Sequence, residues 1–247
     1  MDALTVVLLL AAGFGSGFCN AIAGGGSLLS FPALLATGLP PVAATVTNAV
    51  SVWPGYLGGA AALRSRLAEY RSLLPGLVLT GAAGALGGVI ALLAAPPEVF
   101  ATLVPYLVLM ATALLAAQPM ISRWLAEKGS DSRLRLFTGV FLGGVYGAYF
   151  NGGMGIVLLT ALALGIDASI NRLNGLKSAL TLTVSTTATA AVALFGPVEW
   201  WSVAVLGPAC LVGGMVGAKI SDRLRPSIFR AVVILFGTGA GIAMLFI

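Results

Sequence analysis

Apolar residues run along the chain in long blocks broken by short polar punctuation, and the blocks come in two lengths. Residues 4–22 form an apolar segment rich in Gly and Ala. After Ala23, Gly24, Gly25, Gly26 and Ser27 a shorter run, 28–36, ends at Thr37 and Gly38. A second arm of about eleven residues reaches roughly 16 Å at 1.5 Å per residue, too short for a hydrocarbon core of about 30 Å. The pattern therefore predicts a hairpin over 4–37 whose second arm is a half-helix. Pro40 and Pro41 then open a full span to Leu63, proline being tolerated in a first helical turn. Two more spans follow, 72–94 and 98–120, joined by an outer turn at Ala95, Pro96 and Pro97.

The stretch 121–135 is the longest polar interval, and beyond it the same order returns: a hairpin over 136–164, then spans 168–194, 200–220 and 227–246. Laid on the first half, the second puts Gly152 and Gly153 on Gly25 and Gly26, Gly165 on Gly38 and, with one residue deleted, Asn174 on Asn48. Duplication of this kind is a common transporter plan. The expected architecture is an all-α polytopic membrane protein, one transporter domain over 1–247. It consists of two inverted repeats, 4–120 and 136–246, each a broken re-entrant helical hairpin plus three transmembrane helices, with a cytoplasmic linker at 121–135.

Composition agrees, with 59% of the 247 residues hydrophobic, 9% charged and a mean hydropathy of +1.04. An ordinary soluble domain carries about 25% charged residues. The net charge of +5 does not form a nucleic-acid patch. Eleven of the 13 basic residues fall in three clusters read as loops: Arg64, Arg66 and Arg71; Arg123, Lys128, Arg133 and Arg135; Lys219, Arg223, Arg225 and Arg230. The intervening turns carry Glu98 and Glu199 and no base, so the positive-inside rule places the clusters in the cytoplasm and these turns outside. Parity then brings the first hairpin in from outside and the second from inside, so that the two breaks meet near the middle of the membrane. Met1 and Asp2 provide no basic n-region, and no cleaved signal peptide is expected.

Glycines at 24, 25 and 26 beside Ser27, and Asn151, Gly152, Gly153 and Gly155 around Met154, disfavour continuous helix, each Gly costing about 1 kcal/mol against Ala. At the start of a half-helix their amides and the positive end of the dipole suit an anion. The competing reading is close helix packing by small residues. Asn171, Asn174, Ser178, Thr181 and Ser185 form one polar face, and Thr45, Asn48, Ser51 and Gly55 form its counterpart; each either lines a path or ties helices together. Lys177 stands roughly 13 Å into its span, deep for an ammonium without partner or task. Arg172, about a turn in, reaches either the path or the headgroups.

Every acid lies at a span end, and histidine is absent, which removes the usual proton relay and the commonest metal ligand. It also removes the base that a serine protease at Gly15, Ser16 and Gly17 would need. No metal or other cofactor is expected. Cys19 and Cys210 read as small apolar packing residues, with a thiol-disulfide carrier as the alternative function.

The run from Gly13 through Phe14, Cys19, Asn20 and the glycine triplet to Pro32, followed by Gly38, Pro40, Pro41 and Asn48, resembles the sulfite exporter TauE/SafE family, also called the toluene-sulfonate uptake permease family. So does the second series, from Gly144 through Tyr146, Asn151, Gly152, Gly153 and Gly155 to Asn174 and Lys177. The likeness covers essentially the whole chain; Leu159 stands where many relatives would show a further proline. It implies a transporter, not an enzyme, in the cell membrane, moving small sulfur-containing anions such as sulfite, thiosulfate or organosulfonates. A transporter of a non-sulfur anion remains an alternative, and a homo-oligomer is left open. The expected substrate-binding residues are Asn20, Gly24, Gly25, Gly26, Ser27, Asn48, Ser51, Asn151, Gly152, Gly153, Gly155, Asn174, Lys177 and Ser178.

Overall fold

The computed structural model describes residues 3–22, 25–62, 67, 69–127, 132–220 and 226–246. Among them lie ten α-helices: α1 (Ala3–Ile22), α2 (Ser27–Ala36), α3 (Pro41–Ala62), α4 (Leu74–Ala94), α5 (Pro97–Glu127), α6 (Arg133–Tyr149), α7 (Met154–Ala163), α8 (Ile170–Phe195), α9 (Trp200–Ile220) and α10 (Pro226–Met244). Six are long and apolar enough to cross a membrane: α1, α4, α5, α8, α9 and α10. The chain is a multi-pass membrane protein. α3 has spanning length as well, 22 residues, but is not one of the six; Thr45, Thr47, Asn48 and Ser51 are all buried on it. α2 and α7, with 10 residues each, are the half-helices expected.

The expected linker 121–135 is helical at both ends. α5 continues past Pro119 to Glu127, and α6 starts at Arg133 behind Ser132, whose side chain accepts from the Arg135 amide. No residue between Pro119 and Glu127 stops a helix, so the polar composition there marks an exposed helix end rather than a loop. Leu63 and the basic residues Arg64, Arg66, Lys128, Arg223 and Arg225 lie outside the described residues.

Two glycine seams hold the bundle. Along α1 and α9, a Cβ at Gly13 would crowd the Leu206 carbonyl and one at Gly17 would overlap the Cys210 carbonyl. Along α4 and α6, a Cβ at Gly84 would overlap the Phe141 carbonyl and one at Gly88 the Val145 carbonyl. Such backbone-to-backbone approach replaces hydrophobic driving force where lipid is already apolar. In both seams the paired positions rise together, so α1 runs parallel to α9 and α4 to α6. Two other pairs run the other way. α3 crosses α8 through Trp53 Nε1, which donates to Thr186 Oγ1 at 2.9 Å, and Thr189 Oγ1, which donates to the Ala49 carbonyl at 3.3 Å. α5 meets α10 where Thr112 faces Gly237 and Leu109 faces Gly241.

The second hairpin closes like a zip. Gly165 faces Leu136, Gly139 faces Ala161, Gly143 faces Leu158 and Gly147 faces Met154, so α7 folds back along α6. In the first hairpin Gly26 abuts the Ser16 carbonyl and Gly15 faces Leu29. α1 therefore runs on about six residues, roughly 9 Å, beyond the level at which α2 begins.

Candidate functional site

The two breaks differ in backbone but share their neighbours. In the first, Gly25 has φ +80°; in the second, Asn151 has φ +69° and Gly153 φ +74°. Left-handed backbone stops the incoming helix and turns the chain so that a new helix starts with its amides unspent. Asn151 is the one residue with a side chain in this region among those described, and its short amide tolerates the conformation better than most. In α7 the Met154 and Ile156 amides bond back to the carbonyls of Asn151 and Gly153, whereas those of Gly153 and Gly155 donate to no backbone carbonyl.

Helix α5 brings the breaks together. The space beside Gly25 is bounded by Leu115, and that beside Gly152 and Gly153 by Ala111, one turn along the same helix. The rings of Phe31 in α2 and Phe150 at the second break meet edge to face, with centroids 5.4 Å apart. Tyr56 of α3 bridges them: its hydroxyl donates to Asn151 Oδ1 at 3.2 Å and lies beside Ser27 and Asn20. Tyr146 donates its hydroxyl hydrogen to the Gly152 carbonyl. Neither tyrosine stood among the expected site residues. Tyr56 had a signal, since it follows Asn48 and Val52 at helical spacing on one face of α3.

Of the expected residues, the structure gathers Asn20, Gly25, Gly26, Ser27, Asn151, Gly152 and Gly153 at this junction. Gly155, in the first turn of α7, faces Lys177 of α8: a Cβ there would stand 3.9 Å from Lys177 Cδ with no other atom within 4 Å. Lys177 is half-buried and has no hydrogen bond or ion pair among the described residues. Asn174, one turn before it, is half-buried with its side-chain amide likewise unpartnered, and its carbonyl accepts from Ser178 Oγ at 2.9 Å. Further along, Thr181 Oγ1 is buried without a partner. The polar face of α8 thus keeps free groups near the break. Gly24 and the side chain of Asn171 lie outside the described residues.

The matching face of α3 is spent on packing. Ser30 Oγ donates to Asn48 Oδ1 at 2.6 Å and lies 3.2 Å from Ser16 Oγ, a buried clasp joining α1, α2 and α3. Ser51 Oγ bonds back to the Thr47 carbonyl, Thr45 Oγ1 to that of Pro41, and the Ser51 backbone abuts Gly207 of α9. Asn48 and Ser51, 2% and 0% exposed, are brought into the helix interface rather than to an open space. Cys19 and Cys210 are buried free thiols, Cys210 in the α1–α9 seam. Arg172 turns outward, its Nη1 3.0 Å from Glu69 Oε1 in an exposed ion pair that ties the start of α8 to the α3–α4 connection.

The family model described as "Sulfite exporter TauE/SafE" matches residues 9–244. A "Probable membrane transporter protein" of Haemophilus influenzae is 26% identical over 236 residues, which cover 93% of this chain and 90% of that protein. A "Probable membrane transporter protein ORF9" of Sinorhizobium sp is 24% identical over 248 residues, 97% of this chain and 92% of that one. No solved structure matches.

Proposed function

Since the chain belongs to the sulfite exporter TauE/SafE family, and is thereby a membrane transporter and not an enzyme, we propose that its cargo is a small sulfur-containing oxyanion such as sulfite, thiosulfate or an organosulfonate. The observation that carries this reading is the unpartnered Lys177 ammonium set beside the free first-turn amides of α7, with the Asn174 amide a turn away. An ammonium inside a membrane is costly unless something balances it, and an anion seated on a helix start satisfies both groups at once. An interior-negative potential drives an anion outward by about 2.3 kcal/mol per charge per 100 mV, so export needs no coupling ion.

The helix directions support two inverted halves. α1 runs with α9 and α4 with α6, while α3 opposes α8 and α5 opposes α10, as a two-fold axis in the membrane plane requires. Such halves set both breaks between them, where rocking one against the other would expose the anion to either side.

The test is thermal stabilisation of purified protein by sulfite, thiosulfate, sulfoacetate and sulfate, measured over a concentration series in wild type, Lys177→Gln and Lys177→Arg. At least one of the first three should stabilise the wild type. Lys177→Gln should weaken it about ten- to a hundredfold, the loss of a hydrogen bond to a charged group; Lys177→Arg should keep part of the effect, since charge is retained and shape is not. Equal shifts in wild type and Lys177→Gln would remove Lys177 from the site. Stabilisation by carboxylates or phosphate and by none of the sulfur anions would make the cargo a non-sulfur anion.

A further inference from the structure

Arg230 was grouped by sequence with a cytoplasmic loop, but it lies one turn inside α10 and is the only charged residue of that helix. It is half-buried; its Nε is fully enclosed and has no partner. The same is true of Gln118 Oε1 on α5. The register of α5 against α10 sets these two residues at facing positions. In the antiparallel register of α5 and α10, Leu109 faces Gly241, Thr112 faces Gly237, and Leu115 and Val233 close together on Gly25. The next turn along both helices brings Gln118 opposite Arg230, about 4.5 Å beyond the first break.

A guanidinium held in such a place without an acid is unfavourable, and no ion pair or hydrogen bond reaches Arg230 among the described residues. Gln118 does not relieve it directly. Half a turn of the Gln118 amide exchanges its oxygen for its nitrogen, so the pair can turn two donors on one acceptor. Toward the first break lie Leu115 and Val233, and Phe229, the residue before Arg230, meets Phe18 of α1 edge to face with centroids 5.3 Å apart.

We propose that Arg230 and Gln118 form a second oxyanion-binding site, one turn on the cytoplasmic side of the first break, through which an anion passes on its way to or from the Lys177 site. The guanidinium supplies a planar fork suited to sulfonate, sulfite or phosphate oxygens. The inference rests on the anion-transport reading for its place in a path, but not for the existence of the site. It also gives the first break a cation of its own, which the clasped Asn48 does not provide.

The experiment is isothermal titration calorimetry with sulfite, on full-length protein in nanodiscs of zwitterionic lipid. Wild type should show two binding events. Arg230→Gln should weaken one at least about tenfold, as expected for losing a hydrogen bond to a charged group, and leave the event that Lys177→Gln removes. Gln118→Glu is nearly the same shape and would pair with Arg230. It should raise the melting temperature without sulfite and lose the same binding event as Arg230→Gln. Two events retained in both Arg230→Gln and Gln118→Glu would overturn the proposal. So would an Arg230 effect seen only when phosphatidylglycerol is added, because the ligand would then be a lipid headgroup. If only the Lys177-dependent event is absent from wild type, the transport-site reading fails and the second site stands; if wild type binds no sulfite, both fail.

Discussion

Alanine at four glycines of the two breaks separates folding from binding, because each receives a new Cβ in a different way. At Gly155 the φ is ordinary and the nearest atom is Lys177 Cδ, 3.9 Å away, so a methyl group fits. Alanine is the better helix residue by up to about 1 kcal/mol, and Gly155→Ala should melt at or above the wild-type temperature. That methyl would nevertheless stand between the α7 amides and the Lys177 side chain, where the anion is expected. Affinity should fall at least about tenfold if one charge-assisted bond is lost. At Gly153 there is room, since the nearest atom is 3.6 Å off, but φ is +74°. A left-handed residue with a side chain costs about 1–2 kcal/mol, and Gly153→Ala should be destabilised by that much. Gly25→Ala carries the same backbone cost plus a 2.9 Å approach to Leu115 Cδ2, which the end of a leucine can relieve. Gly26→Ala drives its Cβ into the Ser16 carbonyl, so α1 and α2 must part, and overpacking of this kind costs about 1–3 kcal/mol. The assay is the melting temperature of each purified variant without anion, followed by its shift over a sulfite or thiosulfate series. Gly155→Ala that binds like wild type would refute the placement of the anion on the first turn of α7. A Gly155→Ala variant that melts well below wild type would refute the steric reasoning itself.

Two shorter predictions follow from the same geometry. Asn48→Ala leaves Ser30 Oγ without its buried acceptor and should lose about 1–3 kcal/mol of stability, whereas Asn174→Ala should melt near wild type and bind the anion less tightly; the reverse pattern would exchange the roles of the two asparagines. Both chain termini should face away from the cytoplasm and 121–135 into it, so impermeant thiol reagents should label Ile247→Cys but not Gly129→Cys in intact cells lacking Cys19 and Cys210. Labelling of both from one side would contradict the orientation.

The positions of the breaks were legible because glycine interrupts an apolar helix for a local reason. The half-helices at Ser27–Ala36 and Met154–Ala163 follow from arms too short to cross a bilayer. What the chain order could not reveal is which helix lies across from a given face. The hydroxyls and amide of Thr45, Asn48 and Ser51 have the same spacing as those of α8, yet α3 turns them onto α1, α2 and α9. Arg230 was misplaced for a different reason: it was grouped with Arg223 and Arg225 as charge, although Pro226 marks a helix start four residues earlier. Charge alone marks the neighbourhood of a span end, whereas the proline marks where α10 begins.

Laid on one another, the two halves of the sequence differ at the polar positions beside the breaks. With the deletion that lays Asn174 on Asn48, Lys177 falls on Ser51, and the two serines that clasp Asn48, Ser16 and Ser30, fall on Gly143 and Val157. In the first half a buried hydroxyl network therefore satisfies the asparagine and fixes α2 against α1 and α3. In the second half the serines are missing, α6 and α7 close on glycine instead, and the asparagine and the lysine that follows it keep free donors. The first half is thus braced while the second keeps unpaired donors, with Tyr56 reaching from the first to Asn151 of the second. An ammonium at the fully buried position of Ser51 would meet the same desolvation cost that Lys177 already carries, with the Thr47 carbonyl and the Gly207 backbone as its neighbours.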